Sequence, residues 1–152
     1  MPLIVRQARL EELPDLSELC LRSKAVWGYD QAFLETCRHE LTFQPEDLDT
    51  THIAVAETSV GIAGVAQVKV IDTEADLLKL FIAPSELRRG VGRVLFDWAI
   101  MEAKRIGATH LIIEADPDAA AFYRRMGASD AGVSRSHSIP GRWLPKLRLE
   151  LE

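Results

Sequence analysis

Between Leu77 and Ile100 the sequence reads LLKLFIAPSELRRGVGRVLFDWAI. Arg88, Arg89 and Arg93 are interleaved with Gly90, Val91 and Gly92, where an apolar run has broken at Pro84 and an amphipathic pattern begins. The first N–H groups of a helix have no intrahelical acceptor, and the helix dipole leaves partial positive charge there. Residues without a Cβ let anion oxygens approach the main chain, and guanidinium groups add charge-assisted donors. Glu86 is the one opposing charge nearby. The pattern is that of a local anion site, with a pyrophosphate as the simplest ligand. A glycine-shaped loop with solvated arginines is the alternative. A phosphate-binding P-loop is excluded because it needs a lysine that the turn lacks. The dinucleotide fingerprint G-x-G-x-x-G fits at Gly90 and Gly92 but meets Leu95 at its third position, with Glu114 near the ribose-binding distance.

The elements that must position this turn are legible from periodicity. The 152 residues are 47% hydrophobic and 27% charged, with net charge −5, as expected of one globular domain spanning residues 1–152. The acidic balance gives no support for nucleic acid or an anionic membrane as partner. The start lacks the apolar core of a signal peptide and no apolar run approaches a membrane span, so a cytoplasmic protein is expected. Cys20 and Cys37 stand apart and read as small apolar fillers, and the scattered histidines have no metal-ligand spacing, so no metal is expected.

A strand is expected over Leu3–Ala8, then a helix placing Leu13, Leu16, Leu19 and Cys20 on one face. A second helix is expected over Gln31–Thr42, capped by Asp30, with Ala32, Phe33, Cys37 and Leu41 inward. HIAVAE and VGIAGVAQVKVID read as strands joined at TSVG. A strand over Asp76–Ala83 follows, then a helix over Gly90–Ile106 burying Val91, Val94, Leu95, Trp98 and Met101, and a strand over Thr109–Ala115. Asp116 and Pro117 read as the cap and first residue of a helix to Met126, and strands around AGVSRSHSI and PKLRLEL close the chain. The order predicts an α/β domain with a mostly antiparallel sheet and one central β-α-β unit with a right-handed crossover.

Two motifs in this frame resemble the GNAT superfamily of acyl-CoA-dependent N-acetyltransferases. IAPSELRRGVGRVL matches its proline-started loop and [QR]-x-x-G-x-[GA] helix start at Pro84, Gly90 and Gly92, with Leu87 where glutamine or arginine is usual. DPDAAAFYRRMGA matches the second signature at Ala119, Phe122, Tyr123 and Gly127, with Asp116 in the asparagine position. The resemblance implies a single three-layer domain, a twisted sheet with helices on both faces. It implies acetyl-CoA as co-substrate, its diphosphate on the amides from Arg88 to Arg93 beside Phe122 and its pantetheine arm against Leu80, Phe81 and Ile82. It implies a small-molecule or peptide amine as acceptor and leaves room for a homodimer; a silent acyl-CoA-binding regulatory module is the alternative.

Acetyl transfer raises two proton problems. An amine of pKa about 10.4 must lose a proton before it attacks, and a thiolate of pKa about 8.5 leaves more easily if protonated. The resemblance makes Tyr123 the acid. Glu114, at the end of the second parallel strand, is the candidate base, with His137 on a late strand as the competing one. An amide near Phe81 or Ile82 would polarise the thioester carbonyl. Trp27 and Tyr29, flanking Gly28 between the first two helices, are expected to wall the acceptor pocket.

Overall fold

The computed structural model describes residues 2–152. Seven strands form one sheet: β1 (Ile4–Gln7), β2 (His52–Thr58), β3 (Gly61–Ile71), β4 (Glu74–Ile82), β5 (His110–Glu114), β6 (Ser129–Arg135) and β7 (Trp143–Glu150), in the order β1-β2-β3-β4-β5-β7-β6. Among the described residues only β4 and β5 pair in parallel. Helices α1 (Leu13–Ala25) and α2 (Gln31–Leu41) precede the short α3 (Asp47–Thr50), while α4 (Val91–Ile106) and α5 (Ala120–Arg125) flank β5 in sequence. No helix among the described residues is long and apolar enough to cross a membrane.

Buried cores on both faces hold the layers together. Leu13, Leu16, Cys20, Leu41 and Phe43 pack with Ile53, Val55 and Val65 on one face of the sheet. Phe96, Ala99, Ala103 and Tyr123 pack with Leu111, Ile113 and Leu147 on the other. Each fully buried large side chain stabilises by about 1.5–3 kcal/mol. Cys20 and Cys37 are both free and buried in the first core, as expected of small apolar fillers. The Asp30 carboxylate accepts the Phe33 N–H at 2.8 Å, the cap its position predicts. Gly107, with φ 107°, ends α4 in the left-handed conformation glycine tolerates best.

Several expectations are corrected. Helix α4 starts at Val91, with Gly90 as its cap, and turns Phe96, Ala99 and Ala103 inward beside Val91 and Leu95; Met101 is 70% exposed and Val94 is exposed too. The small alanines let α4 sit close to the sheet, so the buried face lies one residue round from the row of large apolar side chains. Helix α5 starts at Ala120, because residues 116–119 form a turn in which Asp116 accepts the N–H of Asp118 at 3.1 Å. Strand β6 ends at Arg135, which leaves His137 in the loop before β7, and Ala32 is exposed on α2.

The β4 strand carries the feature that builds the site. Its pairing with β5 ends at Leu77↔Ile113, yet β4 continues to Ile82. The β3–β4 register jumps from Gln67↔Lys79 to Val68↔Leu77, so Leu78 is an extra, bulged residue. A bulge bends and re-aims its strand, and here it sits where β4 leaves β5. The Ala83 N–H donates to Ala63 O at 2.8 Å, toward β3. Alternate residues of a strand present their polar groups to opposite edges, so Phe81 and Lys79 also face β3, while Leu80 and Ile82 face the opening. Of the two amides expected to polarise a carbonyl, the register therefore turns that of Ile82, joined by that of Leu80, toward the gap.

Candidate active site

The opening between β4 and β5 leads to the start of α4. The Val94 N–H is bonded back to Gly90 O at 3.1 Å, leaving those of Val91, Gly92 and Arg93 without intrahelical partners. Arg88 (φ 64°) and Gly90 (φ 83°) both adopt left-handed backbone, curling the chain tightly before the helix. Main chain curled in this way gathers N–H groups into an anion-binding concavity. Arg88 and Arg93 are exposed beside it, whereas Arg89 leans toward Glu86, 3.8 Å away, and does not line the cleft. A Cβ on Gly92 would lie 3.6 Å from the Phe122 ring, so the two sequence motifs meet in space there. That distance is ordinary contact, which means the fold itself does not require glycine at 92 and the free space faces the cleft.

The cleft has a volume of about 660 Å³, within the usual range for small-molecule sites. It runs from the α4 turn past Leu80, Phe81 and Ile82 to Glu114, Tyr123 and Trp27. Tyr123 is 7% exposed and packed edge-on to Phe122 (5.2 Å between centroids) and against Phe96 (5.6 Å). Its hydroxyl makes no hydrogen bond among the described residues, and burial, then the nearby Asp116 charge, pushes its pKa well above the ordinary phenol range. Such a phenol keeps its proton until a strong base arrives. A second hollow of about 430 Å³ lies beside β1, β2 and α4, but its charged side chains are taken up: Arg6 pairs with Glu12 (2.7 Å) and Glu57 (3.1 Å), and Glu102 with Arg105 (2.6 Å) and His52 (3.3 Å).

At the opposite end of the cleft a polar cluster joins four loops and helices. The Tyr29 hydroxyl donates to Asp116 at 2.8 Å and accepts from Arg142 at 2.7 Å, and Lys24 reaches Asp116 at 3.2 Å. Tyr29 stacks on Phe33 at 4.1 Å, with the Lys24 and Arg142 cations over both rings. Tyr29 is therefore not a wall of the cleft, as sequence reasoning had it: its hydroxyl is spent holding the α1–α2 loop to the segment before α5. Trp27, 48% exposed, does line it. Burial raises the Asp116 pKa, but the Tyr29 hydroxyl, the Asp118 N–H and Lys24 more than offset it and leave the carboxyl below its ordinary value. Burial, then Asp116, pushes Tyr29 up to about 12. A depressed carboxyl stabilises above its unfolded pKa and loses that effect as pH falls through the folded value. A raised phenol loses it as pH climbs from the ordinary value of about 10. Thermal stability of the wild type should thus decline more steeply at both extremes than that of Tyr29→Phe, which differential scanning calorimetry across pH would show.

The loop between β6 and β7 crosses this end. His137 Nε2 lies 3.5 Å from Glu114 Oε2, and the Ser138 hydroxyl donates to Glu40 on α2. The two candidate bases named from sequence are thus neighbours, both open to solvent.

Residues 49–127 match the family model described as an acetyltransferase (GNAT) domain. The chain belongs to the GNAT acetyltransferase family. It is accordingly an acyltransferase. The three-layer GNAT architecture is shared with solved structures across almost the whole chain. The PaiA N-acetyltransferase of Thermoplasma acidophilum, determined in complex with coenzyme A, superposes with a TM-score of 0.79 at 17% identity, covering 99% of both chains. The ribosomal-protein-S18-alanine N-acetyltransferase of Escherichia coli gives 0.74 at 20% identity over 99% of this chain and 94% of its own. A ribosomal-protein-alanine N-acetyltransferase from Brucella melitensis gives 0.68 at 24%, covering 97% and 99%. At such identities the likeness speaks for the fold. No curated protein matches the sequence.

Several residues around this cleft carry no mark in the sequence. Lys24 and Arg142 lie outside both family motifs, and Asp116 was read as a helix cap. The side chains that hold them lie 26 to 113 residues away, and no local pattern marks such contacts. Glu40 sits on the polar face of an amphipathic helix, where a carboxylate attracts no notice.

Proposed function

We propose that this enzyme binds acetyl-CoA in the β4–β5 cleft and moves the acetyl group to a primary amine of a small molecule or peptide by direct nucleophilic attack. The observation that carries this is the opening of β4 from β5 directly beside unpartnered helix-start amides, with a proton-bearing phenol on the same cleft. The N–H groups of Val91, Gly92 and Arg93, with the Arg88 and Arg93 guanidiniums, would hold a diphosphate. The main chain of Leu80 and Ile82 would pair with the amide-bearing arm of the carrier, a ligand taking the place of a strand. One of those two N–H groups would then polarise the thioester carbonyl.

Glu114, with His137 beside it, would take the proton that the ammonium must lose, directly or through water. The amine nitrogen then attacks the carbonyl carbon, the C–S bond breaks, Tyr123 donates its proton to the departing thiolate, and the proton shed by the newly acylated nitrogen restores the phenol, directly or through water. A covalent acyl-cysteine is disfavoured on two counts. Cys20 is fully buried with its thiol pushed up to about 12, and Cys37 is buried in the same core. Neither presents a thiolate to the cleft.

The test is a free-thiol assay with acetyl-CoA and a panel of amines, paired with calorimetry of CoA against NAD. Amine-dependent thiol release and CoA binding are expected; tight NAD binding without CoA binding would discard the reading. Glu114→Gln should lower kcat/KM about 100-fold at neutral pH. The deficit should shrink as the assay approaches pH of about 10, where the amine deprotonates unaided. A deficit constant across pH would remove Glu114 from the base role.

A further inference from the structure

Lys79 lies on the opened stretch of β4, next to Leu80, and lines the cleft on the face covered by α1 and α2. Its Nζ donates to Gln67 Oε1 at 3.0 Å and sits 4.8 Å from the centre of the Phe43 ring. Gln67 is 1% exposed and is itself held in place: its Nε2 donates to the Thr51 hydroxyl at 3.0 Å, which donates to Asp47 O at 2.6 Å. This relay fixes the amide with its oxygen toward the ammonium. No carboxylate among the described residues pairs with Lys79. Asp47 and Glu40, whose charges act on it from beyond ion-pair distance, are engaged by the Gln44 N–H and by Ser138, and elsewhere along the cleft Glu114 meets His137 while Asp116 meets Tyr29 and Lys24.

An ammonium drawn out of water without a counter-ion is costly, and burial indeed pulls its pKa below that of an ordinary lysine. Apolar neighbours such as Leu41 and Phe43 show that a hydrophobic residue would pack here more cheaply. Of the three N–H donors on Nζ one meets Gln67, which leaves the others for an anion arriving through the cleft. Leu80, whose amide faces the opening, is one strand residue away, about 3.3 Å along the chain. Lys79 and Leu80 line the same cleft, so an anion held at Lys79 shares that cleft with the acetyl group.

We propose that Lys79 anchors a carboxylate of the acceptor, so that the acceptors are amino acids whose side chain is apolar. This rests on the acetyl-transfer reading above. The carboxylate meets the lysine, the amine of the same molecule faces the thioester, and Trp27, Leu41, Leu78, Phe81 and Leu144 supply an apolar wall for the rest.

The test uses matched acceptors, L-leucine against 3-methylbutylamine and L-phenylalanine against 2-phenylethylamine, in the thiol-release assay with the wild type and Lys79→Met. The wild type should favour the carboxylated member at least about tenfold in kcat/KM, as expected for charge-assisted hydrogen bonds. In Lys79→Met that ratio should fall to near one, with the change residing in KM, and in Lys79→Arg it should partly survive. Equal or better use of the decarboxylated amines by the wild type overturns the proposal, as does a Lys79→Met that lowers both members alike. Should no amine release thiol, the acetyl-transfer reading falls, and calorimetry still decides Lys79. Titrating 3-phenylpropionate into the wild-type protein with CoA should give heat that Lys79→Met loses, and no heat in the wild type overturns the proposal.

Discussion

Tyr123→Phe is expected to lower kcat about 100-fold while leaving the dissociation constant for CoA within about twofold. Loss of a positioned general acid costs roughly 10²–10⁴ in rate, and a thiolate is a good enough leaving group to put the effect at the low end. A 100-fold loss corresponds to about 2.7 kcal/mol of transition-state stabilisation. The prediction is clean because the hydroxyl has no structural task. Among the described residues it bonds to nothing, while the ring keeps its contacts with Phe96 and Phe122 in the phenylalanine variant. The melting temperature should therefore hold. Steady-state kinetics, calorimetry with CoA and a thermal melt decide the matter together. Unchanged turnover would take Tyr123 out of the acid role, whereas a joint fall in turnover and stability would mean that the phenol supports the core.

Gly64→Ala should carry the largest cost in stability of the single substitutions considered, about 2 kcal/mol, or roughly 6 °C in melting temperature for a chain of this size. Gly64 lies on β3 under the first turns of α4. A Cβ there would fall 2.9 Å from Leu95 Cδ1, 3.0 Å from Ile82 Cδ1 and 3.0 Å from Phe81 O. The two methyl groups could swing aside, but the carbonyl belongs to β4 and moves only if the strand moves. Because β4 carries the opened edge and Leu95 sits on α4 four residues after Val91, the strain should weaken CoA binding as well. Gly92→Ala provides the contrast: its methyl meets Phe122 at 3.6 Å, so stability should hold while the methyl narrows the cleft and CoA affinity falls. Chemical denaturation and calorimetry of both variants test this. A Gly64→Ala protein as stable as the wild type would show that β3 and α4 are not packed as tightly as the distances indicate.

What the sequence revealed follows the range of its signals. The Asp30 cap, the Thr58–Gly61 turn, Gly107 after α4 and the two-motif β-α-β unit are local patterns, each set by neighbours within a few residues. The inward face of α4 was misjudged because Phe96, Ala99 and Ala103 share its packing with Val91 and Leu95, and the two alanines leave little trace in a hydrophobic pattern. Asp116 was misread for the opposite reason. Its capping pattern is sound locally, but Tyr29, Lys24 and Arg142 claim the carboxylate from other parts of the chain, and helix α5 begins later. Lys79 looks, by alternation alone, like one more residue of a strand. Only the register that sets it opposite Gln67 reveals its half-buried ammonium.

The bulge at Leu78 has a consequence for the protein without its ligand. It leaves an open strand edge in the middle of a sheet, where rims such as β1 and β6 are the ordinary places for unpaired backbone. The Leu80 and Ile82 amides should then swap hydrogen for deuterium far faster than their neighbours at Lys79 and Phe81. Saturation with acetyl-CoA should slow that exchange and make the preparation less prone to clump on storage.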